Sequence, residues 1–289
     1  MTPSSAKFVT AAAVARSPAF DLDARPERWK PEAPFELLDL RPGRVLLLGA
    51  PPGAGKTTLV LQAVAGTLAN HPNLRAVIGN VEVAPGALLE KLLSRLARVT
   101  LDAIQDRQLL ADERRRVESA LTEHATLFER IAFLEAPFAL RNLAEAMLAF
   151  GARLCVVDYA QRFTTGDDDD RSKLDALMSQ VRKLANAGAC VVLVSSVARQ
   201  KSKNGSSTYA GLGMASFRGS SELEFGADAA YILHAAKDGI ALLECVKARF
   251  GSPRDIPLRF DSPTQTFRAG EPLDTFDAAP EPPPRKGNR

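Results

Sequence analysis

Ala50-Pro-Pro-Gly-Ala-Gly-Lys-Thr-Thr58 decides the fold, because of what stands on either side of it. The apolar run Val45-Leu-Leu-Leu precedes it, and the helix-patterned stretch Thr57 to Leu68 comes after. A glycine-rich turn between a buried strand and a helix offers successive backbone N–H groups to an anion, reinforced by the positive end of the helix. Gly53 and Gly55 let the backbone approach, Lys56 offers an ammonium to the β- and γ-phosphates of ATP, and the Thr57 hydroxyl is suited to Mg²⁺. The expected cradle is therefore Ala50, Pro51, Pro52, Gly53, Ala54, Gly55, Lys56, Thr57 and Thr58. Its first position is alanine where the pattern usually has glycine.

Working outward, short apolar runs alternate with helical patterns. Arg44 to Gly49, Leu74 to Val83, Ile131 to Glu135, Leu154 to Asp158 and Cys190 to Val194 read as buried strands. Thr57 to Leu68, Gly86 to Leu96, Glu113 to His124, Leu140 to Phe150 and Ser172 to Ala187 read as helices. The last of these sets Leu174, Leu177, Val181 and Leu184 on one face. This alternation predicts an α/β fold with a mainly parallel central sheet and helices on both faces, its ligand at the carboxyl ends of the strands. After Asp228 the runs Ala229 to Leu233, Ile240 to Val246, Ile256 to Phe260 and Thr266 to Arg268 are joined by short turns, predicting closing C-terminal β-hairpins.

A phosphate cradle needs a carboxylate at a neighbouring strand end to hold the metal, and Leu154-Cys-Val-Val-Asp158 ends on one. Tyr159 rather than glutamate comes next, so a general base must come from elsewhere. Glu82, at the end of the strand after the cradle's helix, is the candidate.

Composition narrows the rest. Of 289 residues, 46% are hydrophobic and 25% charged, near the average of a folded domain. No apolar run approaches the ~20 residues of a membrane helix. Cys155, Cys190 and Cys245 lie in apolar segments without metal spacing, which fits buried thiols in the cytoplasm. A net charge of +3 does not by itself announce nucleic acid. His71, His124 and His234 show no partner spacing and receive no role. Residues 1–34, with prolines at 26, 31 and 34, read as a poorly ordered arm and linker, 35–270 as the folded domain, and 271–289 as a disordered proline-rich tail.

The alanine-led phosphate loop, Asn80-Val-Glu-Val-Ala-Pro-Gly and Val156-Val-Asp-Tyr-Ala-Gln together resemble the motor domain of DnaB-type replicative helicases, a RecA-like P-loop NTPase. Ser94-Arg-Leu-Ala-Arg-Val-Thr-Leu-Asp-Ala-Ile, Phe217-Arg-Gly-Ser-Ser-Glu-Leu-Glu-Phe-Gly-Ala-Asp and Val246-Lys-Ala-Arg-Phe-Gly come in the family's order, so the resemblance covers roughly residues 40–268. It implies an ATP-dependent DNA helicase of DNA replication that works as a ring, expected to be a hexamer, on single-stranded DNA. It implies Lys56 and Thr57 on ATP and Mg²⁺, Glu82 as base, Asp158 as the metal-associated carboxylate, and Lys247 and Arg249 as a basic pair reaching a neighbouring subunit's nucleotide. A replication loader or primase is a candidate partner.

From Ala198 to Ser221 the chain carries no acid, while Arg199, Lys201, Lys203 and Arg218 stand among Gly, Ser, Asn and Thr. Such a segment suits sequence-tolerant contact with a DNA backbone. By the resemblance, Arg218, Gly219 and Ser221 are phosphate-contacting positions of a central pore. Two departures weigh against a full motor: Ser195-Ser196 stands where the family carries serine-glutamine, and only about forty residues precede the first strand. The rival reading is an ATP-gated DNA-binding or regulatory module, such as a helicase accessory or loader, without unwinding activity. An AAA-type loader is disfavoured by Asp158-Tyr159.

Overall fold

Strands that read as near-continuous apolar runs need cover on both faces, and they have it here. The computed structural model describes residues 8–17, 20–163, 170–198, 200–201, 207–208, 211–217, 221–235 and 237–271. The first strands are β1 (Val45–Ala50), β2 (Ala76–Asn80), β3 (Ile131–Phe133), β4 (Leu154–Asp158) and β5 (Cys190–Ser196). β1, β2 and β4 are buried at every position. A ribbon of β6 (Gln200–Lys201) and β7 (Ser207–Thr208) stands apart. The chain then returns through β8 (Ala229–Ala235), β9 (Ile240–Ala248), β10 (Ile256–Asp261) and β11 (Thr266–Ala269).

Among the described residues the main sheet runs β11-β10-β9-β8-β1-β5-β4-β2-β3. From β8 to β3 every neighbour is parallel, and β9 to β11 close the sheet as antiparallel hairpins. This is the expected mainly parallel, RecA-like arrangement. β1 lies between β5 and β8, so the loop leaving it opens at the switch point of the topology.

Alternation along the strands divides the core. The short α1 (Ala11–Ala15) is exposed and takes no part. Leu46, Leu48, Ile78 and Val156 pack toward α2 (Lys56–Asn70) and α3 (Pro85–Ala97). A smaller cluster joins α3 to α4 (Leu101–Gln105) and α5 (Ala111–Glu123), with α6 (Ala125–Phe128) beside them. Val45, Leu47, Val77 and Val157 face α7 (Leu140–Phe150) and α8 (Asp170–Asn186). α9 (Ser221–Gly226) precedes β8. No helix among the described residues is long and apolar enough to cross a membrane.

Three local features differ from the sequence reading. The strand expected from Leu74 to Val83 stops at Asn80, whose Oδ1 accepts the N–H groups of Glu82 and Val83 at 2.9 and 2.7 Å, turning the chain out of the sheet. α4, α6 and α9 are short helices that periodicity did not announce. Trp29, ahead of Phe35, belongs to the core at 2% exposure, its backbone N–H bonded to the Leu40 carbonyl at 2.7 Å.

The closing hairpin is tied to the helix of the phosphate loop. Gln62, buried in α2, donates to the Phe267 carbonyl at 2.7 Å and accepts the Phe267 N–H at 2.8 Å. Gln62→Leu keeps the volume but strands both backbone groups, each worth ~1–3 kcal/mol when buried and unpaired. We expect a loss of about 2–4 kcal/mol in a urea titration. An unchanged midpoint would mean that aromatic packing alone holds the hairpin.

Candidate active site

The phosphate loop leaves the carboxyl end of β1 and turns on two glycines in the left-handed region, Gly53 at φ +79° and Gly55 at φ +88°. Gly55 caps α2 with no side-chain hydrogen bond, leaving the N–H groups of the first turn available to an anion. Behind it, Phe260 and Phe267 stack with centroids 4.3 Å apart. A Cβ on Gly55 would come within 3.1 Å of Phe267 and 3.3 Å of Phe260, so glycine is required here both by conformation and by space.

Thr57 and Asp158 meet beside this loop. Thr57 Oγ1 donates to Asp158 Oδ2 at 2.7 Å, and Asn80 Nδ2 donates to the same oxygen at 2.7 Å. The sheet brings them together, since Asn80 and Asp158 are register partners of β2 and β4. Asp158 is 3% exposed, and burial raises its pKa against the lowering effects of the Thr57 hydrogen bond and the Lys56 charge. Glu82 also acts on it, its negative charge raising the Asp158 pKa further. Glu82 is itself exposed, just past the bend that Asn80 holds.

A hydroxyl and one carboxylate form a hard-oxygen pair of the kind Mg²⁺ takes when phosphates supply the other ligands. Among the described residues there is no group of three or more His, Cys, Asp or Glu that could cage a metal. An open cleft of about 730 Å³ borders Gly53 and is walled by Arg259, Phe260, Asp261, Pro263 and Arg268.

Lys247 and Arg249 sit at the other end of the sheet. β9 runs antiparallel to β8, so its last residues lie beside Ala229 and Ala230, at the end where β1 begins. Lys247 donates to the carbonyls of Glu224 and Phe225. Arg249 donates to the Phe225 carbonyl at 2.6 Å and to Asp228 Oδ1 at 3.0 Å. Burial, with the Arg249 charge beside it, holds the Lys247 ammonium below the usual lysine range. Asp228 also accepts from Arg182 at 2.6 Å and from the Val45 N–H at 2.9 Å.

Of the expected DNA-contacting residues, Arg199, Lys203, Arg218 and Gly219 lie outside the described residues, and Lys201 and Ser221 are placed only by their backbone in β6 and α9. Sequence reasoning missed Asn80, whose place before Val-Glu at a strand end was a signal for an Asx turn. It also missed Asp228 and Gln161, whose partners are distant in sequence. His234, given no partner, meets Glu244 across the β8–β9 ladder at 2.7 Å.

Known proteins match both the sequence and the fold. The family described as DnaB-like helicase C terminal domain matches residues 37–269. The chain is similar to the solved structure of a separate ATPase domain, with a TM-score of 0.71 and 16% identity over 80% of this chain and 86% of that one. It is similar to a structure of a DnaB-like replicative helicase and its interactions with primase, with a TM-score of 0.70 and 17% identity. That match covers 80% of this chain and 60% of the other. At these identities the two structures show the fold alone.

Proposed function

This chain belongs to the family of DnaB-like helicase C-terminal domains, and from that premise we propose an ATP-dependent motor that moves along single-stranded DNA as a ring of six copies in replication. The observation that carries the reading is the Thr57–Asp158 pair, held at 2.7 Å beside a glycine-turned anion loop with Glu82 exposed nearby. Lys56 and the first-turn N–H groups of α2 receive the β- and γ-phosphates. Thr57 and Asp158 hold Mg²⁺, which when bound neutralises charge on the transferring phosphoryl group. Glu82 orients a water and takes its proton as the water oxygen bonds to the γ-phosphorus and ADP leaves.

Arg249 and Lys247 belong to the next active site around the ring. Their place at the end of the sheet opposite their own phosphate loop argues against a role in cis and suits one in trans. The acid-free segment Ala198 to Ser221 tracks the DNA backbone. A cytoplasmic location and a primase or loader as partner complete the reading.

The test is ATP hydrolysis with and without oligothymidylate, alongside strand displacement on a forked duplex. The motor hydrolyses faster with oligothymidylate and displaces the strand. The rival, a nucleotide-gated module favoured by Ser196, binds DNA and leaves the fork closed. Mass photometry with ATP and oligothymidylate should give the mass of six copies. A strict monomer would leave Arg249 with no nucleotide to reach and would end the ring mechanism.

A further inference from the structure

One side chain joins the carboxylate strand to the tip of β5. Gln161, three residues after Asp158, donates from Nε2 to Ser195 Oγ at 2.7 Å, while its Oε1 lies 3.5 Å from the Ser196 nitrogen. Ser195 is fully buried, and its Oγ passes the bond on to the Ser196 carbonyl at 3.1 Å. Ser196 lies in register beside Ala50, where the phosphate loop begins. Both functions of the Gln161 amide thus face the point where β5 meets the loop.

Immediately beyond Ser196 lies the base of the basic segment. Val197 and Phe217 form an antiparallel bridge, and the Ala198 N–H donates to the Ser216 carbonyl at 2.7 Å, closing the segment between them at its root. Val197 and Phe217 also press on β1. A Cβ added to Gly49 would fall 2.6 Å from Phe217 and 2.7 Å from Val197, closer than real side chains approach. Ala160, Val197 and Phe217 are buried in the same cluster. The phosphate-loop strand, the carboxylate strand and the root of the basic segment therefore share one packed junction. A junction of this density changes between discrete arrangements rather than by continuous stretching.

We propose that Gln161 is the positioning residue that couples nucleotide occupancy at Thr57 and Asp158 to the affinity of the Ala198–Ser221 segment for single-stranded DNA. The inference rests on the functional reading above and extends it. A shift of Asp158 moves the turn after it, Gln161 carries that shift to Ser195 and Ser196, and the Val197–Phe217 bridge re-aims the segment. Ser196 has no amide side chain of its own, so the side-chain link across this gap comes from the end of β4.

Coupling of this kind is a reciprocal ratio of affinities, which separates it from a loss of fold. The affinity of the wild type for oligothymidylate is measured with and without a non-hydrolysable ATP analogue, and the affinity for the analogue with and without oligothymidylate. Both ratios should agree and lie at about 5–150-fold. In Gln161→Met, which keeps the volume, and in Ser195→Ala, which removes the acceptor, the ratio should fall to within about twofold of unity, with each ligand alone bound as in the wild type. Full coupling in both variants overturns the proposal. So does a wild type that binds both ligands with a ratio of one, and that result leaves the DNA-binding reading standing. A wild type that binds no oligothymidylate overturns the functional reading and this inference together.

Discussion

Alanine in place of Arg249 is expected to lower DNA-stimulated ATP turnover by about 10³–10⁵-fold, the range for loss of a guanidinium that neutralises charge on a transferring phosphoryl group. Nucleotide binding to the same copy should be unaffected, because Arg249 lies at the opposite end of the sheet from that copy's phosphate loop. A folding defect does not explain such a loss. The Arg249 side chain is 42% exposed, and its pair with Asp228 contributes at most ~1 kcal/mol after solvent screening. Asp228 is the buried partner, and a buried carboxylate stripped of its cation costs about 3–5 kcal/mol. It is not stripped here, since Arg182 and the Val45 N–H remain on it at 2.6 and 2.9 Å. The same redundancy lets Arg249 leave Asp228 and turn toward a neighbour. Arg249→Lys should be nearly as damaging as alanine, because an ammonium lacks the planar fork. The decisive measurement mixes Arg249→Ala with Lys56→Ala subunits. Each is inactive alone, but in a mixed ring an intact Lys56 on one copy meets an intact Arg249 on the next, and turnover returns. A mixture as inactive as its parts would place Arg249 outside the active site.

The elements that were legible in sequence are those whose evidence is local. β1, its glycine turn and α2 are contiguous, so an apolar strand, a motif and a period of three to four could be read in one pass. Asp158 was legible because an apolar strand that ends on a carboxylate is unusual. The hairpins after Asp228 were legible from their turns. The features that escaped depend on strand order, which no periodicity encodes. Asn80 reaches Asp158 only because β2 lies beside β4, and Gln161 reaches Ser195 only because β4 lies beside β5. Gln62 and Phe267 are 205 residues apart in sequence and form a doubly bonded pair in the fold. Trp29 was hidden by the prolines around it, which marked irregular backbone correctly but gave no hint that one ring among them is buried. Arg249 was readable as half of an alternating basic pair. Its hold on Asp228 was not, because that acid precedes a different strand.

Glu82→Gln and Lys56→Ala should both stop turnover, and the way they differ tests the division of labour in the pocket. Lys56→Ala removes the ammonium that holds the phosphates, so binding and hydrolysis are lost together. Glu82→Gln changes one atom of an exposed side chain, while the bend that places it is made by backbone N–H groups on Asn80 Oδ1 and stays intact. Turnover should fall by about 10²–10⁴-fold, as expected when a general base loses the capacity to take a proton. Binding should survive and even tighten slightly, because the Glu82 charge raises the pKa of Asp158 and its removal lets Asp158 ionise more readily beside Thr57. A filter-binding assay with ATP and Mg²⁺, followed by single-turnover hydrolysis, separates the two steps. Glu82→Gln with near-normal hydrolysis would move the base elsewhere. Glu82→Gln with lost binding would make Glu82 part of the cradle rather than the group that activates water. The expected product is a copy with bound, uncleaved ATP, and in a ring such copies should hold oligothymidylate without opening a fork, since release of the strand depends on the bond that Glu82 helps water to break.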